Sequence, residues 1–361
     1  MAWGNRQLKQ KNHTRPILFL IGRDDFKLVV DYPKPLLGYF NAEDRPDTKN
    51  VLFFSDSLLR ELNMNKLVRL FFAVLFCCST TLAVADSTII SLSSFKDVQK
   101  LLLEQKHPHQ VLLALDDDDT LTMMPCPSQN HCQYLGGPAW FEWQSTLPAD
   151  SKDRIWKSFS QLLDINKLIF TMSRMDVDDP AIPNALKTAD KLGVHTLVVS
   201  ARGYDMMGAT EVQFSQDHIF KLIEKNAIKT NGNHISYLGF YLPTAWSDKL
   251  VRPISYVHGV LYLAGQNKGE MLRQFLSKTG NAKRIHDIIF VDDTMQNVKD
   301  VASAYAKDPA AHVISIHYVG LAAHKAAFLT GKNAKKLQAQ ANKQWYAIRD
   351  AMRKNLIGTD F

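Results

Sequence analysis

At 361 residues, with 46% hydrophobic and 22% charged side chains, the chain suffices for one large domain or two ordinary ones, and it is too apolar to be disordered or fibrous. Its formal charge of +7 is carried without a cluster of lysines and arginines, which argues against a nucleic-acid partner. Much of the excess is N-terminal: residues 1–85 hold twelve basic and eight acidic side chains, and without them the charge falls to +3.

Residues 1–63 show no repeat and no motif. Met64 then opens MNKLVRLFFAVLFCCSTTLAVADS, with a basic start (Lys66, Arg69), an apolar run Leu70–Cys78 and a small-residue ending at Ala83-Val84-Ala85. That layout predicts a secretory signal peptide over 64–85, cleaved after Ala85. The alternative is a buried helix; a membrane span would need about 20 apolar residues. On this reading residues 1–63 lie upstream of the real product. The mature chain is 86–361, periplasmic or secreted, with no stable membrane anchor.

Segments beyond Asp86 alternate between helix and strand patterns. SLSSFKDVQKLLLEQ (91–105) predicts a helix with Ser93 or Ser94 as N-cap, and HQVLLALD (109–116) a strand buried on both faces. An aromatic-rich stretch over 121–175 (Trp140, Phe141, Trp143, Trp156, Phe159) predicts helices. A helix from Pro180 to Leu192, the strand VHTLVVS ending at Ser200 and a helix over 205–225 come next. Short strands and turns fill 226–266, with a turn at Asn231-Gly232-Asn233. The helix KGEMLRQFLSK, the strand DIIFVDD, the helix MQNVKDVASAYA, the strand AHVISIHYV and an amphipathic helix over 333–354 close the chain. This alternation predicts an α/β fold, a parallel sheet flanked by helices.

In such sheets ligands sit at the carboxyl ends of the strands. Those ends hold Asp116 to Asp119, then Ser200, then Asp292 and Asp293, with Lys268 opening the helix between the last two. Four aspartates in a row repel one another, so a strand that ends in them points to a bound cation or phosphoryl group.

In this order the motifs resemble those of haloacid dehalogenase-like (HAD) phosphohydrolases, across about 116–297. The stretches LVVSARG and NKGEMLRQFL are also similar to an uncharacterised bacterial HAD-like family known as a domain of unknown function. The first motif, D-x-D-x-T/V, matches Asp116, Asp118 and Thr120; the register Asp117 and Asp119 would put Leu121 at the last position. The strand's two-residue period places Asp116 and Asp118 on one face. The resemblance implies a Rossmann-like parallel sheet and Mg²⁺ as cofactor, held by Asp116, the backbone carbonyl of Asp118, and Asp292 with its neighbour Asp293. It implies Asp116 as nucleophile, Asp118 as general acid and base, and Ser200 and Lys268 as phosphate-binding groups. Arg202 is read either as a substrate contact or as a surface salt bridge. A small helical cap over about 125–175, inserted after the first strand, follows from the same resemblance; its aromatic residues read as cap core, with a pocket lining as the alternative.

The expected partner is a small phosphorylated substrate or a phosphoprotein. A phosphotransferase and a secreted, non-catalytic binding or effector module with the same fold are the alternatives. Cys126 and Cys132, in PCPSQNHC, are expected to form a local disulfide in an oxidising compartment, with free thiols and a metal pair as the other readings.

Overall fold

A computed structural model describes residues 20–21, 26–27, 87–128, 131–230, 239–242, 250–356 and 358. Before residue 83 it describes only β1 (Leu20–Ile21) and β2 (Phe26–Lys27), an antiparallel pair. The signal-peptide reading of 64–85 and the turn at 231–233 lie outside the described residues. No helix among the described residues is long and apolar enough to cross a membrane.

The unit from Ala83 to Phe361 is built on an eight-stranded sheet. Its strands in chain order are β3 (Ser87–Leu92), β4 (Val111–Leu115), β7 (His195–Ser200), β8 (Gly239–Leu242), β9 (Ile254–Val257), β10 (Val260–Tyr262), β11 (Asp287–Asp292) and β12 (His312–Tyr318). The spatial order is β3-β12-β11-β4-β7-β10-β9-β8. All pairings from β3 to β10 are parallel, and β9 runs antiparallel to both of its neighbours. His258 and Gly259, both with positive φ, make the tight turn between β9 and β10.

Five apolar residues in β4 are needed because both faces of the sheet are covered. Val111, Leu113 and Leu115 join the core under α1 (Phe95–Leu103) and α4 (Ile182–Leu192). Leu112 and Ala114 point the other way, into the core under α7 (Lys268–Lys278) and α8 (Met295–Tyr305).

Three expectations are corrected. Ser91 and Leu92 belong to the edge strand β3, not to a helix; α1 begins at Phe95, capped by Ser94, whose Oγ accepts from Lys96 N, a cap worth about 1 kcal/mol. The helix from Pro180 starts two residues later, at Ile182. The single helix over 205–225 is two, α5 (Met207–Gln216) and α6 (Phe220–Lys225), because His218 takes a left-handed conformation (φ 59°) between them.

The aromatic segment is an insertion with an antiparallel stem, β5 (Thr122–Met123) against β6 (Asp176–Val177). It carries α2 (Pro138–Thr146) and α3 (Phe159–Met172). Trp140 is fully buried, as expected for a core aromatic. The core it enters, however, also takes Phe328 from α9 (Ala322–Leu329) and Ala341 and Trp345 from α10 (Ala334–Asn355). Asn342 accepts from Gln144 Nε2 at 3.1 Å, and both amides donate to Asp153 O. The insertion and the C-terminal helices therefore form one layer.

Candidate functional site

The parallel register sets the site. Val291 pairs with Leu115, so Asp292 and Asp116 leave neighbouring strands side by side, and Asp116 N donates to Val291 O at 2.9 Å. Ser200 ends β7, the next strand on the other side of β4. Lys268 is the first residue of α7, after the N-cap Asn267, whose Oδ1 accepts from Glu270 N. Gly269 lets that helix start approach α8: a Cβ there would collide with the backbone carbonyl of Asp300.

Lys268 Nζ bridges two carboxylates, hydrogen-bonding Asp116 Oδ1 and, at 2.8 Å, Asp292 Oδ2. All three groups are buried. Asp292 also accepts from Thr294 N and Asn297 Nδ2. Burial, reinforced by Asp292, pushes the Asp116 carboxyl up to about 7, against the pull of Lys268. Burial likewise raises Asp292. It opposes the Lys268 ammonium too, but the two aspartates outweigh it and hold that pKa above the ordinary lysine value. Carboxylate oxygens of Asp116, Asp292 and Asp293 all lie within 4.8 Å of one another, a set of hard donors suited to a hard divalent cation.

Asp118 is placed differently from the expectation. β4 ends at Leu115, and the strand period does not continue through the aspartates. The chain turns instead: Asp117 O accepts from the backbone N of Thr120, Leu121 and Thr122, and Asp119 adopts φ 61°. The Asp118 carboxylate consequently lies outside the three-carboxylate group and meets Arg202. Nε and Nη2 of Arg202 donate to its two oxygens at 3.0 and 2.7 Å. Nη1 of Arg202 lies 3.1 Å from Asp117 Oδ2 and donates to Thr210 Oγ1 and Gln213 Oε1. Arg202 is thus neither a surface residue nor free for substrate; it is 5% exposed and stacks over Phe170 of α3. Burial pushes the Asp117 carboxyl up to about 7 despite Arg202. Ser200 Oγ accepts from Arg202 N at 3.2 Å, so its own hydrogen is the part it can offer an incoming oxygen.

Lys325 and Asp178 had no sequence signal. Lys325 of α9 pairs with Asp293 Oδ2 at 2.5 Å, bringing a cation from the C-terminal helices to the strand ends. Beside it, Asp119 and Asp178 are raised by burial, Asp178 to about 7. Burial raises Asp293 to about 6, against Lys325. The side chains of Asp118 and Lys325 are 19% and 21% exposed. Cys126 and Cys132 are joined in a disulfide within the insertion.

No match was found among curated proteins or among solved structures. A family model described as "Protein of unknown function (DUF2608)" matches residues 91–356. That span runs from the end of β3 through α10 and includes every residue of the cluster above, so the chain belongs to the DUF2608 family.

Proposed function

We propose that the chain is a HAD-like phosphohydrolase that cleaves phosphate monoesters through an aspartyl-phosphate on Asp116. The observation that supports it most is the pairing of Asp116 with Lys268 and Asp292 beside Asp293: a nucleophilic carboxylate, a fixed cation and a cation-binding acid pair at adjacent strand ends. The donor set fits Mg²⁺, held by Asp116, Asp292 and Asp293, which when bound would offset the charge of the phosphoryl oxygens.

The residues then divide the work. An oxygen of Asp116 attacks phosphorus and forms the P–O bond of the acyl phosphate as the ester P–O bond breaks. Asp118 gives its proton to the leaving oxygen and then takes one from the water that hydrolyses the intermediate, restoring Asp116 and releasing phosphate. Serving as acid and base requires Asp118 to give up one of its two contacts with Arg202. Lys268 fixes Asp116 and supplies positive charge, and Ser200 donates to a phosphoryl oxygen. The helical insertion takes the place of a cap over the site.

The test is Mg²⁺-dependent hydrolysis of an aryl phosphate by the purified chain, with and without an alcohol acceptor. Hydrolysis should require the metal and vanish in Asp116→Asn. Transfer to the alcohol in preference to water would assign a phosphotransferase, and no turnover on a panel of monoesters would favour a binding module.

A further inference from the structure

The sequence offers one short cysteine pair, too few donors for a soft-metal site. The fold supplies the missing donor. His324, almost two hundred residues later in α9, brings a ring nitrogen within 4.8 Å of both sulfurs, and Cys126 and Cys132 are within the same distance of each other. All three side chains are half-buried, shielded yet reachable. Tyr134 sets the imidazole: the rings stack at 4.5 Å and 15°, with Tyr134 Oη 3.4 Å from His324 Nδ1. We propose that Cys126, Cys132 and His324 form a redox-gated zinc site, closed while the cysteines are bonded and able to bind one Zn²⁺ when they are reduced.

Donor chemistry favours that ion. Two thiolates and an imidazole are a zinc donor set with a fourth position open, whereas the Asp116–Asp292–Asp293 group is all oxygen and suits a harder ion. The gating balances chemically. A phosphine reductant breaks the S–S bond and takes up the oxygen of water to become its oxide, leaving two thiols. Zn²⁺ then displaces both thiol protons. Nothing in this depends on phosphohydrolase activity.

The experiment uses the full chain with Cys77→Ser and Cys78→Ser, so that 126 and 132 are its only cysteines. Zinc content is measured after dialysis against Zn²⁺, with and without the phosphine. One equivalent is expected in the reduced protein and none in the oxidised. His324→Ala or Cys132→Ser should weaken the reduced protein's affinity by at least about 10-fold, the lower bound even for changes outside the ligand shell. Asp292→Asn should leave it unchanged. Because a variant can fail through misfolding, Co²⁺ added to the reduced parent protein gives a second reading: a thiolate-to-cobalt charge-transfer band should appear and vanish on oxidation. Equal zinc in both redox states, zinc lost with Asp292→Asn but kept with His324→Ala, or no charge-transfer band would each overturn the proposal.

Discussion

Replacing Arg202 with methionine removes the cation that faces two carboxylates in the interior while keeping an unbranched apolar stem against Phe170. The side chain makes both bonds to Asp118, lies against Asp117 and donates to Thr210 and Gln213, nearly all of it out of water. Removing one partner of a buried ion pair costs about 3–5 kcal/mol, because the remaining charge stays desolvated. At roughly 2–4 °C per kcal/mol for a domain of this size, Tm should fall by about 6–20 °C. The loss should also depend on pH, in a definite sense. Asp117 is raised by burial even with Arg202 present, and without it the folded state holds its proton to still higher pH. Between the unfolded value, near 4, and the raised folded value the folded protein binds the extra proton, so stability falls by about 1.4 kcal/mol per pH unit as pH rises. Thermal melts followed by circular dichroism at about pH 5 and pH 8 should thus show the larger deficit at the higher pH. A loss below about 2 °C at both values, or a larger loss at the acidic one, would mean that Arg202 does not neutralise these carboxylates.

Asp118→Asn should slow hydrolysis of alkyl phosphates by about 10²–10⁴ but nitrophenyl phosphate by far less, because a good leaving group needs no proton; equal losses on both substrates would remove Asp118 from the acid role. Gly269→Ala drives a methyl into the Asp300 backbone and should cost about 1–3 kcal/mol with a weaker Lys268 contact, read as a lower Tm and a lower kcat; an unchanged Tm would show that α7 has room to move. Burial raises Asp116 to about 7 and Asp293 to about 6, so without metal the folded protein loses stability as pH rises from about 4 to those values. Saturating Mg²⁺ binds the ionised acids and should raise Tm more at about pH 8 than at about pH 5; the reverse order, or no shift in either, would place the cation elsewhere.

The sheet was legible wherever both faces of a strand are covered. VLLAL and DIIFV read as strands because burial on two sides demands unbroken apolar residues, and their carboxyl ends carried Asp116 and Asp292 into view. The edge strand β3 was not legible, since STIISL is only half covered and its serines read equally well as a helix start. Asp116, Lys268 and Asp292 were found because each ends or begins a regular element. The grip of Arg202 on Asp118 was missed because backbone turns, not strand period, aim Asp117–Asp119, and the partner lies 84 residues away. Lys325 has no local mark at all: a lysine on an amphipathic helix looks the same whether it faces water or Asp293.

The helical layer has a consequence for the order in which the molecule can be completed. Residues 124–175 present Trp140, Leu162, Ile165 and Ile169, whose covering side chains include Phe328, Ala341 and Trp345, from helices synthesised after all eight strands of the sheet. Until then that apolar surface lacks these neighbours. Lys325 arrives on the same segment, so the acidic strand ends gain this counter-charge only after β12 has been made. Assembly of the charged centre is thereby tied to possession of α9. A chain cut short before α9 would keep every aspartate of the cluster and lose both the side chains that complete the insertion's core and one of the cations that balance the acids.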